Sequence, residues 1–194
     1  MRKNLPVTQV EYPLPEGASL VSKTDLKGRI TYANPAFVET SGFDLPELIG
    51  APHNLVRHPD MPEAAFADMW KTLKRGEPWT ALVKNRRKNG DHYWVVANAT
   101  PLREGDTVVG YLSVRTRPTR EQVAACEAIY RKFKEKQAHG LAIREGGVVR
   151  TGLLSKLNVV GRFVGSANLQ TKFAAIGVGA LASAGAAGWA GLQQ

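Results

Sequence analysis

Between Pro52 and Tyr93 the chain gathers residues that could build a ligand site. His53, Arg57, His58 and Asp60 share one loop-like run, PHNLVRHPD. Phe66 and Trp70 follow four residues apart, a spacing that a helix turns into one face. Trp79 opens a strand-like run containing Asn85, ahead of the turn residues Lys88-Asn89-Gly90-Asp91. Aromatic faces suit a flat ring, a carboxamide offers donor and acceptor together, and arginine bonds strongly to anions. The combination points to a pocket for a flat, anionic cofactor. Each part also has a plainer reading: Phe66 and Trp70 as core, Arg57 and His58 as a solvated loop, Asn34 before Pro35 as a helix cap.

Other chemistries fit poorly. His53, His58, His92 and Asp60 match no familiar metal-ligand spacing. Neither a Ser-His-Asp set nor a Gly-x-Ser-x-Gly elbow is present. Cys126 is the single cysteine, which excludes an intrachain disulfide framework and fits a reducing compartment. The run Lys84 to Lys88 is basic, yet no nucleic-acid-binding motif accompanies it.

The elements that must position the pocket are short. Ser19 to Thr24 and Arg29 to Tyr32 form a hairpin about Asp25-Leu26-Lys27-Gly28. Asn34-Pro35 opens a helix that ends at Gly42, and Pro46 to Ile49 is a single turn stopped by Gly50. Asp60, ahead of Met61-Pro62-Glu63, is placed to cap a helix over 63–74 that Gly76 ends. Three strands follow over 79–85, 92–101 and 107–117. From Thr119 a helix carries Val123, Cys126, Ile129, Tyr130 and Phe133 at helical spacing, and 140–152 is a Gly-rich connector. The pattern predicts an α+β fold, a five-stranded antiparallel sheet with short helices on one face enclosing a small cavity.

With 194 residues the chain has room for one good domain and an appendage. A formal charge of +9 leaves nucleic acid, a membrane surface or local anion binding as partners. The N-terminus is basic but lacks an apolar core, unlike a secretory signal. Residues 173–192, FAAIGVGALASAGAAGWAGL, are uncharged and would extend about 30 Å as a helix, enough to cross a bilayer. Small-xxx-small spacings within them suit close helix contacts, and a flexible Ala/Gly-rich tail is the alternative. Lys156, Arg162 and Lys172 precede the run and no basic residue follows, which places the preceding body in the cytoplasm.

Several motifs carry a family resemblance. Asp25-Leu26-x-Gly28-x-Ile30-x-Tyr32-x-Asn34, Ser41-Gly42-Phe43, Glu47-Leu48-Ile49-Gly50 and Lys88-Asn89-Gly90-Asp91-x-Tyr93-Trp94 resemble the punctuation of PAS domains. The runs His53 to Pro62, Ala65 to Trp70 and Gly76 to Gly90 are similar to the FAD-binding PAS domain of bacterial aerotaxis (energy-taxis) receptors. The resemblance covers roughly residues 5 to 150. Together with the element pattern, this divides the chain into an expected N-terminal cap (1–18), PAS sensor domain (19–118), helical linker region (119–172) and membrane-spanning segment (173–192).

The resemblance implies FAD as cofactor, a redox-sensing role without catalytic turnover, and an Arg57, His58, Asp60 loop needed for binding. Trp70, Phe66 and Trp79 then wall the isoalloxazine, and Asn85, followed by Asn34 and Asn98, takes its pyrimidine edge. Arg57 takes the pyrophosphate with His58 or His53, and Asp60 orients them or bonds a ribose. The expected partners are a second copy of the chain and a chemoreceptor signalling module or kinase/adaptor complex, in cis or in trans. The expected location is the cytoplasmic face of the inner membrane. Without a cysteine in the pocket, a flavin–thiol photoswitch is not expected. Two alternatives stand beside this reading: a PAS protein-interaction module, and a PAS sensor of haem or another small ligand.

Overall fold

The computed structural model describes residues 4–151 of the chain. β1 (Leu20–Thr24) and β2 (Ile30–Ala33) form the expected hairpin. The Asp25 carboxylate closes its turn by accepting the Lys27 and Arg29 backbone N–H groups. α1 (Pro35–Ser41) begins where the Asn34 carboxamide accepts the Phe37 N–H, and α2 (Leu45–Leu48) is a single turn. A 3-10 turn at His53–Val56 leads to α3 (Glu63–Lys74). Then come β3 (Trp79–Arg86), β4 (His92–Glu104), β5 (Thr107–Thr116) and α4 (Arg120–Lys134). β6 (Leu141–Arg144) and β7 (Gly147–Arg150) end the described residues.

The first five strands make an antiparallel sheet in the order β2-β1-β5-β4-β3, the architecture that the strand pattern predicts. Its register explains the cavity. Ser22 pairs with Ser113, Ser113 with Ala99, and Ala97 with Arg115. Alternation along each strand turns these positions to one face. Small side chains there make a low floor, and α3 with the preceding loop roofs it.

Three features depart from the sequence pattern. The helix from Thr119 does more than lead away from the sheet: α4 packs against β3, with Val123, Cys126 and Tyr130 buried. The Tyr130 hydroxyl donates to the Leu82 carbonyl at 2.9 Å. Second, the expected Gly-rich connector folds as the β6–β7 hairpin. Glu145 (φ 51) and Gly146 (φ 81) are both left-handed, the requirement of a tight type I′ turn. Strands of four residues carry too little alternation to announce themselves. Third, Asp60 does not cap α3, whose N-cap is Pro62. Its carboxylate instead accepts the ammonium groups of Lys84 (3.1 Å) and Lys134 (2.6 Å), stronger donors than a backbone amide.

The N-terminal residues run across the β3–β4 turn. Thr8 and Tyr12 donate backbone N–H groups to Gly90 and His92, and Arg86 donates to the Pro6 and Leu5 carbonyls. The Asn4 amide reaches the carbonyls of Asn54 and Arg57 at 2.8 and 2.9 Å, pinning the loop beside the cavity. Among the described residues no helix is long and apolar enough to cross a membrane, and the segment expected to do so lies outside them.

Removing the buried Tyr130 hydroxyl strands the Leu82 carbonyl. Tyr130→Phe should lower unfolding stability by about 1 kcal/mol, the usual worth of such a bond. Denaturant titration of the two proteins measures it.

Candidate ligand-binding site

A cavity of about 150 Å³, open to solvent at its mouth, lies between the sheet floor and the α3 roof. From α3, Trp70 packs edge-on against Tyr111 of β5, with ring centroids 5.5 Å apart. The turn between β1 and β2 must pass close beneath this indole. A Cβ at Gly28 would stand 3.2 Å from it, and Gly28 has a φ of +76°. Phe66, one helical turn earlier, lies under the Arg57 guanidinium at 3.6 Å. Trp79, on β3, completes the wall and is 1% exposed.

Polar groups enter from the loop and the floor. Asn85 is buried, and its amide nitrogen faces the Tyr93 hydroxyl without a well-formed hydrogen bond to it, so both groups are left under-satisfied. A buried donor without an acceptor is costly in a folded protein and marks a place for a ligand acceptor. Arg57 pairs with Asn85 in an isolated bridge, so loop and strand deliver both groups to one corner. Its Nε–H is likewise buried without a partner, and burial lowers the guanidinium pKa.

Arg115 rises from the floor of β5. Its guanidinium donates to the Ser22 hydroxyl at 3.2 Å, contacts His53 Nε2 at 2.6 Å and lies 5.0 Å from the Phe37 ring. Burial depresses its pKa to about 10, so it remains charged. Among the described residues no carboxylate pairs with it. Burial first, then the charges of Arg115 and Arg57, push His53 down to about 3. The imidazole is therefore neutral, and Nε2 accepts from Arg115. The cavity lining as a whole holds Lys27, Arg57 and Arg115 and no Asp or Glu. A buried cation without a counter-ion costs on the order of several kcal/mol. The site is electrostatically built for an anionic or acceptor-rich ligand.

Six of the ten residues singled out from the sequence line this cavity: His53, Arg57, Phe66, Trp70, Trp79 and Asn85. Asn34, His58, Asp60 and Asn98 are not among its lining residues. The Asn34 side chain is fully engaged, capping α1, accepting the Val21 N–H and donating to the Ser19 carbonyl. Asn98 alternates with the lining residues Ala97 and Ala99 and so faces away. His58 Nδ1 accepts the Asp60 N–H, and burial followed by Lys84 lowers its pKa to about 4. Burial alone would raise the Asp60 carboxyl, but Lys134 and Lys84 hold it down to about 2. Sequence reasoning missed Arg115 and Lys27. The signal for Arg115 was present: Tyr111, Ser113 and Arg115 share one parity of β5, so a charge sits on the core face.

A small antiparallel sheet roofed by short helices over one ligand-sized cavity defines a PAS domain, and residues 30–115 match the family model described as the PAS fold. The chain therefore contains a region that is similar to the PAS fold family. It is 56% identical over 151 residues to the Aerotaxis receptor of Escherichia coli (strain K12), covering 78% of this chain and 30% of that receptor. It is 34% identical over 92 residues to the Nitrogen fixation regulatory protein of Klebsiella pneumoniae, covering 47% and 19%. A solved light-oxygen-voltage domain, studied with a flavin analogue, superposes with a TM-score of 0.50 at 27% identity, covering 61% of this chain and 87% of that one. The chain thus spans less than a third of the curated relatives' own length.

His53 and His58, with His92 shifted in the same direction, contribute to the acid response of the domain. His53 and His58 bind a proton more weakly folded, at about 3 and about 4, than at the ordinary 6.5. Between those values the unfolded chain takes up more protons, so stability falls as pH drops from about 6.5 towards 4. Asp60 adds a loss of its own below 3.8. Urea midpoints should fall steadily between pH 7 and pH 5, and His58→Gln, which takes no proton, should flatten the slope.

Proposed function

We propose that the chain is a redox sensor that holds FAD in this cavity and passes the redox state of the flavin to a chemotaxis signalling module. The observation that carries the reading is the charge of the cavity. Three cations and no acid line it, beside a buried, under-satisfied amide donor and walls made of Trp70, Phe66 and Trp79. The likeness to the Aerotaxis receptor and to a flavin-associated light-oxygen-voltage domain supports the same ligand class.

FAD supplies an electron-accepting ring whose charge and hydrogen-bonding edge change on reduction. The chain's own residues bind and orient it. The Asn85 amide donates to the pyrimidine edge, and Trp70, Phe66 and Trp79 exclude water from the ring. Arg57, with His53 and Lys27, takes the pyrophosphate through charge-assisted bonds. His58 and Asp60 hold the loop that delivers Arg57, while Asn34 and Asn98 support the helix and strand around the site. The role is sensory, with binding that differs between redox states as the source of the signal. The working unit is a dimer on the cytoplasmic face of the inner membrane, anchored through residues 173–192. It signals to a kinase/adaptor complex through further receptor sequence in cis or a partner receptor in trans.

The purified chain should be yellow, bleach on reduction and release FAD on denaturation. A colourless chain that stays empty after incubation with FAD sinks the reading. Arg57→Ala removes a charge-assisted contact, about 1.5–3 kcal/mol, and should weaken FAD binding roughly tenfold to a hundredfold. Trp70→Ala should act in the same direction. Asn34→Ala should instead cost about 1 kcal/mol of stability through the lost cap.

A further inference from the structure

One carboxylate outside the cavity touches both a cavity wall and the C-terminal hairpin. Asp68 lies on α3 between Phe66 and Trp70 but faces away from the cavity, into the groove beside β6. Its Oδ2 accepts the Trp79 indole N–H at 2.8 Å and the Gly146 backbone N–H at 2.8 Å. Its Oδ1 accepts the Glu145 N–H at 3.0 Å. The two N–H groups belong to the left-handed pair at the hairpin tip, successive amides of a turn converging on one anion.

The hairpin depends on this contact. Glu145 holds a φ of 51°, a conformation that strains any residue but glycine and persists where its surroundings enforce it. Gly146 lies so close to β3 that a Cβ there would collide with the Thr80 carbonyl oxygen. Val148 and Ile143 anchor the body of the hairpin in the core. The tip is held by hydrogen bonds to Asp68 and by an exposed ion pair between Arg75 and Glu145 at 3.5 Å. Because Trp79 and Gly146 share one carboxylate oxygen, movement of the indole alters the acceptor that the tip relies on.

We propose that Asp68 is a positioning residue that couples the cavity to the β6–β7 hairpin through the Trp79 indole N–H. A ligand that reorients Trp79 changes the hold on the hairpin tip. By linkage, seating the hairpin changes ligand affinity by the same factor. The hairpin ends at Arg150 and the chain runs on from there, so the coupling points from the sensor towards the remainder of the protein. The inference rests on the FAD reading of the preceding subsection, which supplies the ligand.

Hydrogen exchange of the Glu145 and Gly146 amides in the full chain, with and without saturating FAD, tests it. FAD should change their exchange rates by roughly tenfold, within the ordinary range of couplings between sites. In Asp68→Asn, and independently in Trp79→Phe, the change should shrink below about twofold. Trp79→Phe keeps an intact Asp68 and is read only at full FAD occupancy, confirmed by flavin absorption, so a reduced response there cannot come from lost binding and decides the matter if Asp68→Asn fails to fold. A native-sized response in Trp79→Phe, or no response in the native chain loaded with FAD, overturns the inference alone. A native chain that takes up no FAD overturns the functional reading and this inference together.

Discussion

β3 is an edge strand, and its outward backbone groups must be met by something other than another strand. In an antiparallel pair each residue turns its N–H and C=O to the same side, so alternate residues of β3 face outward. The Lys84 N–H meets the Met61 sulfur at 3.2 Å, the Leu82 carbonyl takes the Tyr130 hydroxyl, and the Thr80 carbonyl abuts Gly146. Three separate parts of the chain therefore dock along one edge: the loop before α3, helix α4 and the β6–β7 hairpin. The same strand carries Trp79 and Asn85 on its cavity face. Covering the edge and building the site are one structural problem.

The cavity reverses the usual rule for buried charge. A buried arginine ordinarily finds a carboxylate, because an unpaired ion is expensive away from water. Arg115 has a hydroxyl, a neutral imidazole and a phenyl ring instead. Depressing His53 keeps that imidazole an acceptor and avoids a second cation against the guanidinium. Acids are plentiful just outside, where Asp60 and Glu127 neutralise Lys84. Their absence from the lining is thus a property of the site and not of the whole domain, whose ion pairs are otherwise unexceptional.

The sequence carried the order of elements and much of the site, and its limits have physical causes. α3 ends where Gly76 and the last periodic residue place it, and β3 begins at Trp79, the residue that opens the strand-like run. Phe66 and Trp70 were legible because helical spacing commits them to one face. Asn98 was not, because an asparagine in a strand gives no sign of its parity until the register is known: Thr80 pairs with Asn98, one position off the Trp79–Ala99 pair that faces the cavity. Arg115 escaped because a cation near a strand end looks solvated. Asp60 carried the right residue type for a cap, and tertiary partners outbid the local one. The β6–β7 hairpin was hidden by its glycines, which serve a tight turn and a close approach where they resembled a linker.

These features bear on how the proposed sensor can transmit anything. A ligand shifts a conformational equilibrium only by its differential affinity for the two states. Contacts that respond must therefore be cheap to exchange, and segments that move come from the less stable parts of a fold. The ladders joining β1, β5 and β4 are long and central, and breaking them would cost the fold itself. The attachments along β3 are of another kind, single hydrogen bonds, a thioether acceptor and the half-exposed ion pairs of Lys84. Asn4 adds one more, holding the N-terminal arm to the loop that carries Arg57. On the proposed redox reading, a change of charge beside Arg115 and Asn85 would be felt first by the strand whose neighbours are the most replaceable, with the central ladders as the frame against which the difference registers.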